Sequence, residues 1–310
     1  MSRAAYLVLE NGTVFEGKAF GAEKETTGEL VFTTAMTGYL ETLTDPSYFG
    51  QVGLQTFPLI GNYGVIPADF ETDAPSLKGY IVREWCQAPS NFRCEGNLDT
   101  FLKDRGVPGI CGIDTRVLTK IVREYGVLAC RIQYTPEVTG QTLAELKSYV
   151  ITDAVESTTI REKEFFPAET PEYNVVLMDF GAKHNIGREL NRRGCNLTVV
   201  PAHTTAEEIL AMEPDGIMLS NGPGDPAILY FYIIVLVMTM KLRIRDMRED
   251  MDLTQQKIAD VLLCDQSLYS KYERGEREIP LSLLIKLADF YGTSLDYLVG
   301  RTRSPDFVAK

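Results

Sequence analysis

The sequence predicts a multidomain protein with an α/β N-terminal domain, a truncated parallel α/β segment and an all-α domain of five helices. Strand signals dominate the first 150 residues, apolar runs then alternate with amphipathic helices, and helical periodicity alone continues from Lys241. The boundaries that we predict are 1–150 for the first domain, 151–172 for a linker, 173–227 for the parallel segment, 228–239 for an apolar junction, 240–301 for the helical domain and 302–310 for a tail.

The N-terminal domain begins with a hairpin whose turn is Asn11-Gly12, because this dipeptide favours the tight turns between antiparallel strands. The predicted elements are strands over Ala5–Leu9, Val14–Gly17, Val31–Thr34 and Gly53–Phe57 and helices over Asp99–Arg105 and Asp114–Tyr125. Residues 151–172 are polar and contain Pro167 and Pro171, which is typical of a linker.

The parallel segment alternates strands with helices, which is the pattern of a doubly wound sheet. The predicted strands are Asn174–Asp179, Asn196–Pro201 and Gly216–Leu219, and the predicted helices are Lys183–Arg193 and Thr205–Met212. This pattern stops at Pro226, so the sequence indicates a domain that is cut short.

The charge is divided unevenly along the chain. The net charge is −12, yet residues 240–310 contain 12 basic and 12 acidic residues, so the whole excess lies in residues 1–239. Such asymmetry indicates that the two parts have different partners. A neutral helical domain is still compatible with nucleic acid, because phosphate contacts are local and Lys241, Arg243, Arg245 and Arg248 cluster in its first helix.

The cysteine pattern predicts a cytoplasmic protein with free thiols, since the six cysteines form no CxxC pair and no secretory signal follows Met1. The apolar run Ile228–Met240 is shorter than the ~20 residues of a membrane span, so a buried strand or helix is favoured over membrane insertion. We expect no metal site and no cofactor.

Several motifs in the first 226 residues closely resemble the small subunit of carbamoyl phosphate synthetase. They are Thr34-Ala35-Met36-Thr37-Gly38-Tyr39, Leu43-Thr44-Asp45-Pro46-Ser47-Tyr48, Ile60-Gly61-Asn62-Tyr63-Gly64, Gly109–Arg116, Asp179–Ile186 and Ser220-Asn221-Gly222-Pro223-Gly224-Asp225-Pro226. The resemblance implies a domain that docks onto the large synthetase subunit, followed by a flavodoxin-like class I glutamine amidotransferase domain. It also implies that Ser47, Gly222 and Gly224 contact L-glutamine.

A glutaminase of this type needs a Cys nucleophile, a His base and a carboxylate that orients the His. The family places its cysteine in a Gly-x-Cys-x-Gly turn after the Gly-Pro-Gly motif, and no cysteine of this sequence follows that pattern; Cys111 precedes the domain. The two histidines, His184 and His203, also come too early, and structural roles are favoured for both. We therefore expect no catalytic triad, no glutaminase activity and weak binding of glutamine if any.

The junction 228–239 matches neither neighbouring pattern. A gene fusion, a deletion or an assembly artefact would each produce it, with a separate small protein beginning at Met238 or Met240. Alternatively, this segment replaces a lost central strand, which its β-branched and aromatic residues permit.

The helical domain contains a helix-turn-helix pattern. Leu253–Asp260 begins a helix with Thr254 as N-cap, the turn Leu263-Cys264-Asp265 follows, and Gln266–Glu273 forms the second helix. Residues 241–301, including Tyr272-Glu273-Arg274-Gly275 and Ser294-Leu295-Asp296-Tyr297-Leu298, resemble the Cro/C1 (XRE-like) family. The resemblance implies that Gln266, Ser267 and Lys271 contact bases, that Gln255 contacts a phosphate, and that Arg248 and Glu273 form a structural ion pair.

Leu263 departs from that family, which often has Gly or Asn at this turn position; a left-handed conformation would cost Leu ~1–2 kcal/mol.

The leading interpretation is a fusion whose complete module is a regulator that binds double-stranded DNA through residues 240–301, with a homodimer as an open alternative. The competing interpretation is a synthetase small chain that docks on the large subunit through residues 1–150 without hydrolysing glutamine. A helical bundle with no DNA partner, and a chain with no physiological role, are the further alternatives.

Overall fold

The N-terminal strands close into a seven-stranded barrel in the computed structural model, which describes residues 3–224, 242–277 and 279–299. The barrel strands are β1 (Ala4–Leu9), β2 (Val14–Gly21), β3 (Thr26–Thr33), β4 (Gln51–Gln55), β6 (Gly79–Ile81), β8 (Pro108–Cys111) and β9 (Leu128–Gln133). Their order is β1-β2-β8-β6-β4-β3-β9, and β9 pairs with β1 to close the barrel. The pairs β3–β4, β4–β6 and β6–β8 are parallel, so the barrel is mixed.

The predicted N-terminal hairpin is confirmed, since β1 and β2 pair antiparallel from Ala4 opposite Lys18 to Val8 opposite Val14. Outside the barrel, β5 (Leu59–Ile60) and β7 (Glu84–Trp85) form a small parallel sheet. The helices of this part are α1 (Tyr39–Thr44), α2 (Leu98–Asp104), α3 (Thr115–Tyr125), α4 (Gly140–Lys147) and α5 (Ala154–Thr158), and α2 and α3 confirm the two predicted helices.

Side chains capping the helices explain where α2 and α3 begin. The Asn97 side chain accepts a hydrogen bond from the backbone N–H of Thr100, and the Asp114 side chain accepts from those of Arg116 and Val117. These bonds satisfy donors that have no partner within the first helical turn.

The buried apolar residues of the barrel region form two large clusters. One includes Leu7, Leu30, Leu54, Ile110 and Ile132 from the barrel and Leu118 and Val122 from α3. The other includes Tyr39, Leu40, Ile60, Tyr80, Leu98 and Phe101. Strands and helices are therefore held together by shared apolar burial, which is the main stabilising contribution to such a fold.

The chain divides into two compact units. The first comprises Met1–Lys163, Asp179–Arg192 and Leu219–Gly224, and the second comprises Glu164–Met178, Arg193–Met218 and Asp225–Lys310. Two pieces of the predicted parallel segment thus group with the barrel, and Lys183 and Asn221 of these pieces bond to Asp45 and Ser47. The predicted linker 151–172 also differs from the expectation, since it contains α5 and the strand β10 (Glu164–Phe166).

Strand β10 belongs to a four-stranded sheet in the order β10-β12-β11-β13. The other strands are β11 (Tyr173–Asp179), β12 (Cys195–Pro201) and β13 (Gly216–Leu219), with α6 (His184–Arg192) and α7 (Ala206–Leu210) between them along the chain. The three strands and two helices predicted here are confirmed as elements. Strand β10 is antiparallel to β12, with Phe165 opposite Thr198, so this sheet is not purely parallel.

The C-terminal helices surround one apolar core. They are α8 (Ile244–Asp250), α9 (Gln255–Leu262), α10 (Gln266–Glu273), α11 (Leu281–Tyr291) and α12 (Leu295–Leu298). Thr254 caps α9 as predicted, since its Oγ1 accepts from the N–H of Lys257 at 3.2 Å. The N–H of Arg243 donates to the carbonyl of Leu298 at 2.8 Å, which links the two ends of this bundle.

Leu263 adopts the left-handed conformation considered above, with φ 57° and ψ 45°, and its side chain is 85% exposed. The junction 228–239, the tail 302–310 and Lys241 lie outside the described residues. Within the described part of the chain, no helix combines the length and apolar character needed to cross a membrane.

Candidate functional sites

The first residues of α10 are presented to solvent by the turn between α9 and α10. Gln266 and Ser267 at the start of the helix, and Lys271 one turn later, are exposed. Tyr269 and Tyr272, by contrast, are buried in the core of the helical domain. The three side chains that the resemblance assigns to base contacts are therefore open to a ligand.

Gln266 is held in place by Gln255 of α9. Nε2 of Gln266 donates to Oε1 of Gln255 at 2.7 Å, and Nε2 of Gln255 donates to Oε2 of Glu273 at 2.8 Å. A side-chain amide has two N–H protons. Each glutamine therefore keeps one proton for a further acceptor, and Gln266 also keeps its own Oε1 as an acceptor.

Glu273, at the end of α10, is also bonded to Arg248 of α8. Nε of Arg248 lies 2.6 Å from Oε1 of Glu273, and its Nη2 lies 3.2 Å from Oε2. Nη1 of Arg248 donates to the carbonyl of Leu253 at 3.0 Å. The side chains of Arg248 and Glu273 are 12% and 2% exposed, so the guanidinium and carboxylate form a bidentate pair that is largely shielded from water.

The pKa of Glu273 lies below its usual value. Burial alone would raise this pKa, but the hydrogen bonds from Arg248 and Gln255 stabilise the ionised form more strongly. The same bond raises the pKa of Arg248 above its usual value. The ionised carboxylate of Glu273, on α10, is therefore bonded to side chains of both α8 and α9.

Other arginines of the helical domain are also paired. Nε of Arg245 lies 2.9 Å from Glu249, and Nε of Arg274 lies 2.7 Å from Glu276. Two residues of the predicted basic cluster, Arg245 and Arg248, are thus paired with carboxylates. The resemblance implied the pair of Arg248 with Glu273, whereas the pair of Arg245 with Glu249, one helical turn away, was not predicted.

Ser47 lies in a short 3-10 turn of the first unit, Pro46–Tyr48. Its backbone N–H donates to Oδ1 of Asp45 at 2.9 Å, and its Oγ accepts from Nδ2 of Asn221 at 2.9 Å. The structure thus brings Ser47 to the residue that precedes Gly222 along the chain. The Ser47 oxygen already has one protein partner here.

Two further contacts, which were not predicted from the sequence, join Lys183 and Asn185 to residues that lie much earlier in the chain. Nζ of Lys183 lies 2.8 Å from Oδ2 of Asp45, and Nδ2 of Asn185 donates to Oε1 of Glu71 at 2.9 Å. Lys183 and Asn185 belong to the segment Asp179–Ile186. The resemblance of this segment to the synthetase small subunit was the feature of the sequence that pointed to these residues. Their partners are more than 100 residues away in sequence, so spacing could not reveal them.

Gly222 has a steric role that is independent of any ligand. A Cβ atom at this position would lie 2.3 Å from the carbonyl oxygen of Phe180, so only glycine permits this approach. Gly224 has φ 90°, a conformation that favours glycine. Next to them, Oγ of Ser220 accepts from the N–H of Phe180 at 2.9 Å, which fixes the loop.

The cysteines are free thiols. Burial raises the pKa of Cys111 and of Cys130, and a raised pKa disfavours the thiolate that acts as a nucleophile. His184 begins α6, where its backbone N–H donates to the carbonyl of Glu71 at 2.8 Å. Among the described residues, no group of three or more His, Cys, Asp or Glu side chains is arranged to hold a metal ion.

Comparison with protein families gives three matches along the chain, and the second extends beyond Pro226, where the predicted segment stops. Residues 7–132 match carbamoyl-phosphate synthase small chain, CPSase domain. Residues 176–249 match glutamine amidotransferase class-I, and residues 244–298 match helix-turn-helix. The last two matches overlap between 244 and 249.

Curated relatives share the first part of the chain. The carbamoyl phosphate synthase small chain of Bacillus thuringiensis subsp. konkukian (strain 97-27) is 54% identical over 220 residues, covering 71% of this chain and 60% of that protein. The small chain of Streptococcus agalactiae serotype III (strain NEM316) is 51% identical over 222 residues, covering 71% and 61%. The chain thus spans about 60% of the length of these relatives.

Among solved structures, an aminopeptidase from Aneurinibacillus sp. strain AM-1 aligns with a TM-score of 0.27 and 13% identity, covering 71% of this chain and 58% of that chain. This score is too low to support a shared fold. The comparison with known families therefore rests on the three sequence matches. The chain therefore matches, in this order, the model of the carbamoyl-phosphate synthase small-chain domain, part of the class-I glutamine amidotransferase model and a helix-turn-helix model of the Cro/C1 type.

Proposed function

We propose that residues 242–299 bind double-stranded DNA in a sequence-specific way and that the chain acts as a transcriptional regulator. The observation that supports this proposal is the exposed start of α10, where Gln266 donates to Gln255. Gln255 and Arg248 in turn donate to the carboxylate of Glu273. A helix-turn-helix protein inserts its second helix into the major groove, with the first side chains against base edges.

The remaining hydrogen-bonding capacity of these side chains suits DNA. Gln266 keeps one N–H donor and its Oε1 acceptor, which together match the N7 and N6 atoms of adenine. Lys271 is exposed one turn later and can donate to guanine. Gln255 keeps one N–H proton for a phosphate oxygen, so a phosphate contact would leave its bonds to Glu273 and Gln266 in place.

The test is selection of binding sites from a random duplex library by the full chain, followed by fluorescence anisotropy on the selected duplex. We expect saturable binding that weakens steeply between 50 and about 200 mM salt, as phosphate contacts require. A two-fold symmetric site with half-sites ~34–36 Å apart would support a homodimer, and a single half-site would support a monomer. Equal affinity for the selected and a scrambled duplex would contradict the proposal.

A second function is favoured by the small-chain match over residues 7–132 and the identity to curated small chains. The N-terminal domain would dock onto a carbamoyl phosphate synthetase large subunit and support synthesis from ammonia. We propose that glutamine is not hydrolysed, because this sequence has no cysteine in the expected turn after Gly224.

Pull-down of a bacterial large subunit by the full chain tests docking, and synthesis assayed with ammonia or with glutamine tests the chemistry. We expect the chain to capture the large subunit. We expect the complex to synthesise carbamoyl phosphate from ammonia and not from glutamine. Glutamine turnover above a no-enzyme control would overturn the proposed loss of glutaminase activity, and no capture at micromolar concentrations would overturn docking.

A further inference from the structure

A cavity of about 380 Å³ lies in the first unit, beside the beginning of β3. It is lined by residues 24–27, by Phe49 and Gly50 before β4, by Lys78 before β6, and by residues 149–152 after α4. None of these residues takes part in the sites described above. Its volume is at the lower end of the range for small-molecule sites, which is ~300–1,000 Å³.

One wall of the cavity is fixed by contacts on Gly50. The Tyr149 hydroxyl donates to the carbonyl of Gly50 at 2.7 Å. A Cβ atom on Gly50 would lie 2.8 Å from Cγ1 of Ile151, so this side chain packs directly against the glycine. Residues 149–152 are therefore held against the strand that follows Gly50, and the cavity is a formed feature of the fold.

The ionisable side chains of the cavity carry a net positive charge. Lys24 and Lys78 contribute two ammonium groups and Glu25 one carboxylate. Nζ of Lys78 lies 5.8 Å from the ring centroid of Phe49, a cation–π distance that places this charge beside the aromatic wall. This charge is opposite in sign to the net charge of the chain, which is −12.

Hydroxyl groups supply neutral donors next to these charges. Thr27 and Thr152 line the cavity, whereas the side chain of the neighbouring strand residue Thr26 faces the opposite side of β3, toward Gly79. Oγ1 of Thr27 accepts a hydrogen bond from Nε of Arg131 at 3.0 Å, so its own proton is available to another acceptor. Ammonium groups and hydroxyl donors together are the groups that bind phosphate oxygens.

We propose that this cavity binds a small phosphomonoester, with its phosphate on Lys24, Lys78 and the threonine hydroxyls and its organic part against Phe49. A phosphate group would satisfy the two ammonium groups and the hydroxyl donors at the same time. The ring of Phe49 and the side chain of Ile151 offer the apolar surface that inorganic phosphate cannot use. The site lies outside the helical domain that is proposed to bind DNA.

The test is a calorimetric titration of the full chain with phenyl phosphate, compared with inorganic phosphate and with phenol. We expect saturable binding of phenyl phosphate that weakens with salt, and weaker binding of the other two probes. Lys24→Gln and Lys78→Gln should each reduce the affinity about tenfold, since one charge-assisted bond contributes at least ~1.4 kcal/mol. Lys147→Gln, an exposed lysine of α4 that does not line the cavity, is the matched control.

Both lysines of the cavity are exposed, so the variants should fold, and their unfolding midpoints verify this. Absence of saturable phenyl phosphate binding by the wild type would overturn the proposal. It would also be overturned if Lys147→Gln weakened binding as much as the two cavity variants. Equal affinity for phenyl phosphate and inorganic phosphate would overturn the assignment to a phosphomonoester.

Discussion

The carboxylate of Glu273 accepts three hydrogen bonds from Arg248 and Gln255. Its Oε1 accepts from Nε of Arg248, and its Oε2 accepts from Nη2 of Arg248 and from Nε2 of Gln255. One carboxylate thus connects three helices, and it does so at the end of the helix that presents Gln266. The stability of the helical domain and the position of its exposed glutamine depend on the same charge.

Loss of that charge should destabilise the helical domain. We expect Glu273→Gln to lower its free energy of unfolding by about 2 kcal/mol, because the Arg248 guanidinium then loses its counter-charge in a shielded position. Hydrogen–deuterium exchange of peptides from 242–299 in the full chain measures this change. Glu276→Gln removes the exposed ion pair with Arg274 and should leave exchange unchanged. Equal effects of the two variants would contradict the structural role of Glu273.

The same carboxylate should make this domain sensitive to acid. Folding lowers the pKa of Glu273, so its ionised form contributes stability at pH values above the unfolded carboxyl pKa of about 4.3. That contribution is lost as the pH falls through the lower pKa of the folded state. Amide resonances of α10 in the full chain should therefore disperse normally at pH 5 and collapse below about pH 4. In Glu273→Gln this acid-dependent loss should be smaller, and an identical pH profile would argue against Glu273 as its source.

Leu263 stores backbone strain that a glycine would relieve. Its φ of 57° costs a residue with a Cβ atom about 1 kcal/mol, and its exposed side chain packs little. We expect Leu263→Gly to be more stable than Leu263→Ala by about that amount, because both variants remove the exposed leucine and only glycine removes the strain. Exchange rates of peptides from α9 and α10 report the difference. An alanine variant as stable as the glycine variant would show that the turn carries no strain.

Gln266 should determine sequence preference rather than general affinity. Gln266→Ala is expected to reduce discrimination at one base pair about tenfold or more, while the dependence of binding on salt is retained. Gln256→Ala is the control, since this exposed glutamine of α9 bonds to Asp260 at 2.8 Å instead of to the proposed interface. Anisotropy titrations on the selected duplex and its single-base variants provide the measurement. Unchanged preference in Gln266→Ala would count against α10 as the recognition helix.

Gly222 should be required for the fold of the first unit. Gly222→Ala places a Cβ atom against the carbonyl of Phe180, which should destabilise this unit by about 1–3 kcal/mol. Urea unfolding followed by the fluorescence of Trp85, the single tryptophan of the chain, reports on this unit. Gly140→Ala, at the start of α4, meets no atom within 4 Å and should unfold like the wild type. A wild-type midpoint for Gly222→Ala would show that the loop is free to move.

Local sequence patterns located some elements with their bounds and missed others. Strand β13 and helix α10 have the predicted bounds, because an apolar run or an amphipathic stripe is a local pattern. Strands β6 and β8 have three and four residues and were not predicted, since buried parallel strands of that length show no alternation. Strand β10 falls in the predicted linker because residues 151–172 are polar and contain Pro167 and Pro171, and the pairing of β10 with β12 is not local.

By itself, the sequence determined the family motifs that the chain carries, the positions of Gln266, Ser267 and Lys271 on one helix, and the unusual leucine in the turn. Each of these features is set by residues that lie close together along the chain. Tertiary structure alone decided that the N-terminal strands close into a barrel, that Ser47 is bonded to Asn221, and that Lys24 and Lys78 line one cavity. These relationships join residues that are far apart along the chain, and the packing of the whole unit selects them.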